Sequence, residues 1–221
     1  MAVIDKPAGW TSHDVVARAR KVFGQRRVGH AGTLDPGATG VLVLGLGRAT
    51  RLLRFVTDLP KSYLGEVVLG TATTTLDDQG EETGRWDMGG VTTEEVRAAA
   101  ARFVGEVDQV PPMVSAVKVG GQRLHTLARA GVEVERAPRR VTVHRIDVEP
   151  AAQPGVFRVE VDCSSGTYVR SLAADLGAAL GGGAHLRNLR RTAVGHFTVV
   201  EATPLDELGP DAVRPPAAAV A

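Results

Sequence analysis

Asp35 and His30 stand in one run, Arg27-Val28-Gly29-His30-Ala31-Gly32-Thr33-Leu34-Asp35-Pro36-Gly37-Ala38-Thr39-Gly40, and the residues around them limit what they can do. Four glycines and a proline leave no room for a regular helix or a central strand, so an irregular loop shaped by what it presents is expected here. A carboxylate held on such a loop suits nucleophilic catalysis, because it can form a covalent intermediate. An aspartate before a proline also opens turns, its carboxylate capping the backbone. The loop alone leaves both readings open. Further along, Arg170 falls in the first turn of an expected helix, where the dipole disfavours a cation, so a negative partner is expected. Tyr63, one of two tyrosines, lies near the start of an expected strand. Asp77 and Asp78 are neighbours in a turn, a pattern that suits capping better than metal binding.

The elements that must position these residues follow from pattern. Thr11 or Ser12 can cap a helix whose apolar side is Val15, Val16, Ala19, Val22 and Phe23. Val41 to Gly47 reads as a buried strand, 49–56 as a short helix and 61–70 as a strand. Thr71 to Gly90 is expected to be loop or hairpin, and Thr92-Thr93-Glu94-Glu95 a capping box that opens a helix ended by Gly105. Gly120-Gly121 makes a hairpin turn, followed by a short helix over 124–130. Residues 141–148 and 156–163 alternate with period two and predict paired antiparallel strands, with Cys163 on the buried face. A helix with Val169, Leu172, Ala173, Leu176 and Leu180 inward comes next, then a flexible glycine lead over 181–191, a last strand over 192–200, a helical turn over 203–208 and a disordered tail over 209–221.

With 221 residues, 43% hydrophobic, the chain can bury one full core. The net charge of +1 means that attraction to a polyanion rests on clustering of cations. They cluster in 18–27, including Arg26 and Arg27; in 118–145, including Lys118, Arg123, Arg129, Arg139, Arg140 and Arg145; and in 187–191. The middle segment, rich in cations and poor in core material, reads as an arm that grips nucleic acid through phosphates, against the alternative of a solvated surface excursion. A single cysteine allows no internal disulfide, and no CxxC or HExxH spacing builds a zinc site. Gly45-Leu46-Gly47 lacks the third glycine of a dinucleotide loop, Thr50 standing there. No signal peptide and no membrane-spanning run are seen, so a cytoplasmic protein is expected.

Two stretches, Gly29 to Gly40 and Cys163-Ser164-Ser165-Gly166-Thr167-Tyr168-Val169-Arg170, resemble the signature stretches of the bacterial TruB family, the tRNA pseudouridine-55 synthases. Asp5-Lys6-Pro7, Lys61-Ser62-Tyr63, the segment Pro111 to Lys118, and Gly183 to Arg191 support the match, which extends to about Leu208. The resemblance implies an α+β pseudouridine synthase fold: a mixed, mainly antiparallel sheet flanked by helices. A catalytic domain would span 1–208, with an RNA-binding thumb insertion over about 109–140 and without the family's small C-terminal RNA-binding domain. The implied reaction is isomerisation of a uridine in the T loop of tRNA to pseudouridine, with no cofactor and no metal. The implied partner is tRNA through its T stem-loop, with no membrane, no protein partner and a monomeric state expected.

Site roles follow from the same resemblance. Asp35 matches the nucleophile, Arg170 the arginine that pairs with it and holds it charged, and Tyr63 the tyrosine that stacks on the target base and accepts a proton. Tyr168 and Leu189 match the lining of the uracil pocket, and His30 the residue that fills the space left by the turned-out base. Lys6 and Asp77 are also expected to touch substrate. The chain departs from the family at His125, where tyrosine is common, and at Thr74, where aspartate is common, so thumb contacts and the loop near Asp77 are expected to differ in detail. The alternative function is a non-catalytic tRNA-binding or tRNA-folding module on the same scaffold. An aspartate-dependent hydrolase lacks a second placed carboxylate.

Overall fold

The computed structural model describes residues 1–215, apart from the side chains of Arg123, His125 and Arg129. The chain forms two compact units, one built from residues 1–64 together with the chain from Asn188 onward, the other from 65–187. The first opens with β1 (Ala2–Lys6), α1 (Ser12–Val22), β2 (Val28–Ala31), β3 (Thr39–Leu46) and α2 (Leu53–Thr57), and β4 (Lys61–Leu69) leads out of it. The second carries β5 (Thr71–Thr73), β6 (Glu82–Arg85), α3 (Thr93–Ala101), β7 (Gly105–Gln109), β8 (Lys118–Val119), β9 (Gln122–Arg123), α4 (Leu124–Arg129), β10 (Arg139–Pro150), β11 (Val156–Cys163) and α5 (Val169–Ala179). β12 (Ala184–Val194) brings the chain back, and β13 (Phe197–Thr198) and β14 (Thr203–Pro204) complete the first unit.

In the first unit β3 is the middle strand. Its Val41-Leu42-Val43-Leu44 run is wholly buried because both faces are covered, as an unbroken apolar strand requires. β1 pairs with it antiparallel from Ala2↔Leu44 to Lys6↔Gly40, and β2 from Val28↔Leu46 to Ala31↔Val43. β12 joins it in parallel at Arg190↔Thr39, and β14 lies parallel to β1, so the sheet is mixed. One face packs Val3, Val41 and Val43 against Leu53, Val56 and Phe197; the other packs Ile4, Leu42 and Leu44 against Val15, Val16 and Ala19 of α1. Thr11 caps α1 through a capping box with Asp14.

In the second unit β10 lies between β11 and β7, antiparallel to both. α3 starts at the expected box, Thr92 with Glu95, and Arg97 on it donates to the Val148 carbonyl of β10 at 2.9 Å. α5 buries Leu172, Ala173 and Leu176, and β8 and β9 form the hairpin turned by Gly120-Gly121. The α+β class and the mixed, mainly antiparallel sheet expected from the sequence are therefore observed.

Several expectations change. The irregular stretch begins only at Gly32: Val28–Ala31 is a strand in spite of its glycine, because the ladder with β3 and Leu53 of α2 packed over Gly29 supply what propensity lacks. The 181–191 segment is no flexible lead. Gly182 and Gly183 lie against Met88 and Trp86, so closely that a Cβ on Gly183 would stand 2.3 Å from the indole, and β12 starts directly after them. The strand expected over 192–200 is thus the end of β12, which stops at Val194, and β13 turns back on it through Gly195. β7 was not legible because Glu106 and Asp108 break the apolar pattern on an exposed edge. β14 and a 3-10 turn (Leu205–Glu207) take the place of the expected helical turn. Of the tail expected to be disordered, residues 210–212 form a 3-10 turn, Ala212 is buried, and Val213 bridges to Ala2. Residues 216–221 lie outside the described ones.

Candidate active site

Asp35 sits half-buried between β2 and β3 on a loop held from several directions, all within the first unit. Arg191, 1% exposed, sends Nε to the Val41 carbonyl (2.8 Å), Nη2 to Gly32 (3.1 Å) and Nη1 to Thr33 (3.4 Å). Ser12, the first residue of α1, donates its hydroxyl to the Leu34 carbonyl (3.1 Å) and accepts from the Leu34 N–H (2.9 Å). Lys6, fully buried at the end of β1, donates to Trp10 (2.6 Å), Pro7 (2.9 Å) and Pro36 (3.2 Å), and the Gly9 N–H adds a bond to Pro36 at 2.9 Å. Gly32, Thr33, Leu34 and Pro36 are thus each tied, which leaves Asp35 little freedom. Gly40 closes the loop with φ of +100° and the Arg191 carbonyl only 2.1 Å from where a Cβ would stand.

The electrostatics of this loop follow from burial. Desolvation brings the Lys6 ammonium down to about 8; Asp35 opposes that shift and Arg191 reinforces it. His30 on β2 is lowered from its ordinary value, first by burial and then by His13 and Arg191. Its ring meets that of His13 edge-on at 5.5 Å, and its Nδ1 is buried with no hydrogen-bond partner among the described residues. Tyr63 is 9% exposed on β4, and Leu189 is half-buried on β12. The same unit has a cleft of about 540 Å³ lined by Lys6, Trp10, Arg18, Thr39 and Arg190 among others, but not by Asp35, His30, Tyr63 or Leu189.

In the second unit Asp77 Oδ2 stands 3.6 Å from Arg170 Nε. The guanidinium also donates to the carbonyls of Thr75 (2.7 Å) and Val114 (2.8 Å), so a cation 3% exposed in the first turn of a helix is compensated from three sides. Asp77 shapes its own turn as well, accepting from Thr75 Oγ1 and from the Gln79 N–H at 3.1 Å. Thr74, at the departure from the family pattern, closes the same loop by accepting from the Glu81 N–H at 3.1 Å. Tyr168 is the residue before α5, and both its backbone groups are bonded to the side chain of Gln109.

Some site residues lie differently from expectation. Lys6, expected to touch substrate, is spent on loop carbonyls, because a buried ammonium must use its donors internally. The 187–191 cluster, expected to meet phosphates, is committed to protein: Arg187 pairs with Glu66 (2.7 Å), Arg190 with Asp5 (2.6 Å), and Arg191 clamps the loop. Arg145 is taken up by Asp147, Glu160 and Asp162. Arg139 and Arg140 sit on β10 rather than in the arm, and Arg140 pairs with Asp108 at 3.4 Å. Arg26, Arg27, Lys118 and Arg139 are exposed, without a carboxylate partner among the described residues. The side chains of Arg123, Arg129 and His125 lie outside the described set. Asp35, His30, Tyr63, Lys6 and Leu189 belong to the first unit; Arg170, Tyr168 and Asp77 belong to the second. Sequence reasoning missed Arg191 and Gln109 as supports and read Ser12 only as a cap.

Among solved structures, the chain is similar to one in a Cbf5-Nop10-Gar1 complex (TM-score 0.73, 32% identity, 94% of this chain and 52% of that one). It is also similar to one in an H/ACA RNP bound to a substrate RNA containing 2'-deoxyuridine (TM-score 0.69, 28% identity, 94% and 51%). It spans about half the length of those chains, and the fold it shares with them is that of the pseudouridine synthases. The model of the TruB family pseudouridylate synthase N-terminal domain matches residues 20–169, and that of the tRNA pseudouridylate synthase B C-terminal domain matches 170–213, which here is α5 through the last 3-10 turn. The tRNA pseudouridine synthase B of Rhodococcus jostii (strain RHA1) is 55% identical over 94% of this chain and 70% of its own length; that of Thermobifida fusca (strain YX) is 53% identical over 100% and 78%. The chain therefore belongs to the TruB family of pseudouridylate synthases, and with that to a class of enzymes. Among the described residues no helix is long and apolar enough to cross a membrane.

Proposed function

We propose that this chain converts a uridine in the T loop of tRNA, position 55, to pseudouridine in the cytoplasm, acting as a monomer with Asp35 as nucleophile. The observation that carries the reading is the fixing of the Asp35 loop by Arg191, Ser12 and Lys6, since a carboxylate that must attack one atom of a flipped nucleotide gains most from a rigid seat. In the reaction the bond from ribose C1' to N1 breaks and a bond from C1' to C5 forms. The C5 proton leaves, N1 gains a proton, and Asp35 is bonded to the nucleotide in between. Tyr63 stacks on the base and accepts the C5 proton. Arg170 holds Asp35 charged; Tyr168 and Leu189 line the pocket, with Asp77 beside them. His30 takes the place of the turned-out base, at a flipping cost of a few kcal/mol that phosphate contacts from the arm and from Arg26 and Arg27 offset.

The test is incubation with an unmodified T-stem-loop transcript, followed by mapping of pseudouridine in the product. Conversion of the uridine at position 55 alone is expected. Tight binding with no pseudouridine would leave the chain a tRNA-binding module.

A further inference from the structure

We propose that Gln109 is a positioning residue that sets the orientation of Arg170 by clamping the backbone of Tyr168, two residues before it, and that it ties this orientation to the first residues of the expected arm. The inference rests on the reading of Arg170 given above. Gln109 ends β7, opposite Arg139 on β10, and is 3% exposed. Its Oε1 accepts from the Tyr168 N–H at 2.7 Å, and its Nε2 donates to the Tyr168 carbonyl at 3.0 Å. A side-chain amide offers a donor and an acceptor on separate atoms side by side, so it can hold a backbone N–H and C=O of the same residue at once. A hydrocarbon of equal volume would leave both buried and unmet.

The same stretch is latched twice more. Ser171 donates to the Val110 carbonyl at 3.1 Å, and Arg170 Nη2 donates to the Val114 carbonyl at 2.8 Å. Residues 109–114 and 168–171 are therefore joined by four hydrogen bonds running in both directions, two of them made by Gln109. Residues 110–114 follow β7 and open the thumb insertion that the resemblance implies over about 109–140. A displacement of the arm by bound RNA is passed to Arg170 through these bonds, and Gln109 keeps the N-terminal turn of α5 in register while that happens. Gln109 touches neither base nor ribose in this account; it acts through Tyr168 and Arg170.

Single-turnover kinetics on the T-stem-loop with Gln109→Met and Gln109→Glu test it. In addition, 15N-arginine NMR of each variant follows hydrogen exchange at Arg170 Nε. Gln109→Met is expected to lower the rate constant about 10- to 100-fold, with KM within about twofold, since misplacement of a reacting group by about 1 Å costs up to 10²-fold. Arg170 Nε–H exchange is expected to speed up in parallel. Gln109→Glu keeps the acceptor for the Tyr168 N–H but sets a carboxyl oxygen against the Tyr168 carbonyl, so it too is expected to slow the reaction, by about 10-fold or more; if Gln109→Met does not fold, a folded Gln109→Glu with the wild-type rate overturns the proposal. A folded Gln109→Met with the wild-type rate overturns the proposal, as does a change confined to KM. Arg170→Lys in the same assay separates the two readings. If it retains the wild-type rate, the assignment of Arg170 fails; if it is inactive while the Gln109 variants keep full rate, only the role of Gln109 fails.

Discussion

Ser12→Ala isolates the clamp on the residue before Asp35. The hydroxyl makes both of its bonds to Leu34, at 2.9 and 3.1 Å, and Ser12 and Leu34 are 1% and 3% exposed, so water cannot replace what is removed. Each buried backbone group left without a partner costs about 1–3 kcal/mol, and alanine in a helix returns a few tenths. A net loss of about 2–6 kcal/mol follows, which for a domain of this size lowers the Tm by about 4–24 °C. The N–H and C=O of Leu34 then seek other partners, and the peptide that carries Asp35 moves with them. The rate of pseudouridine formation at saturating RNA is expected to fall about 10- to 100-fold. Thermal melts of the free enzyme and single-turnover assays well below the variant's Tm measure the two effects separately. A Tm within about 1 °C of wild type, or an unchanged rate in a destabilised variant, refutes the reasoning: in the first case the bonds carry no stability, and in the second the loop does not need them.

The other expectations follow from the same clamps. Lys6 is charged below about 8, so activity should fall as pH rises through that value and the ammonium loses a donor to the Pro7, Trp10 and Pro36 carbonyls. Its own contribution to stability runs the other way between about 8 and 10.5, where the unfolded chain binds the extra proton, so a pH–rate profile and a pH–stability curve should diverge there, and Lys6→Met should flatten the alkaline limb of the first. Gly40→Ala puts a Cβ 2.1 Å from the Arg191 carbonyl at a φ of +100°; a loss of at least about 3 kcal/mol in denaturant melts is expected, and wild-type stability would show that β3 and β12 meet differently. Replacing Arg26 and Arg27 by Gln should reduce the slope of log K against log salt by about one to two, whereas Arg145→Gln, its three carboxylates satisfied internally, should leave it unchanged.

The two signature stretches and the strand pair 141–163 were legible because they depend on local chemistry: glycines where the backbone bends, period-two alternation where one sheet face is buried. What could not be read are the partners supplied by distant segments. Arg191 looks like part of a basic patch, and only the parallel ladder at Arg190↔Thr39 reveals that it lies beneath the Asp35 loop. Lys6 looks like a ligand-facing lysine until β1 is seen to deliver it to Pro36 from thirty residues away. Gln109 carries no local signal, since its role depends on a residue 59 positions later. A negative partner was expected for a cation at a helix start, but the approach of Asp77 to Arg170 was not read, because it depends on the turn that Asp77 makes with Thr75.

The central claim is that the Asp35 carboxylate performs the chemistry, and Asp35→Asn tests it most directly, because the amide preserves shape while removing the nucleophile. T-stem-loop affinity and pseudouridine content after extended incubation would be measured side by side with the unaltered chain. Affinity within about threefold of wild type, with no pseudouridine formed, is the expected result; pseudouridine accumulating at a rate near that of the unaltered chain would contradict the account.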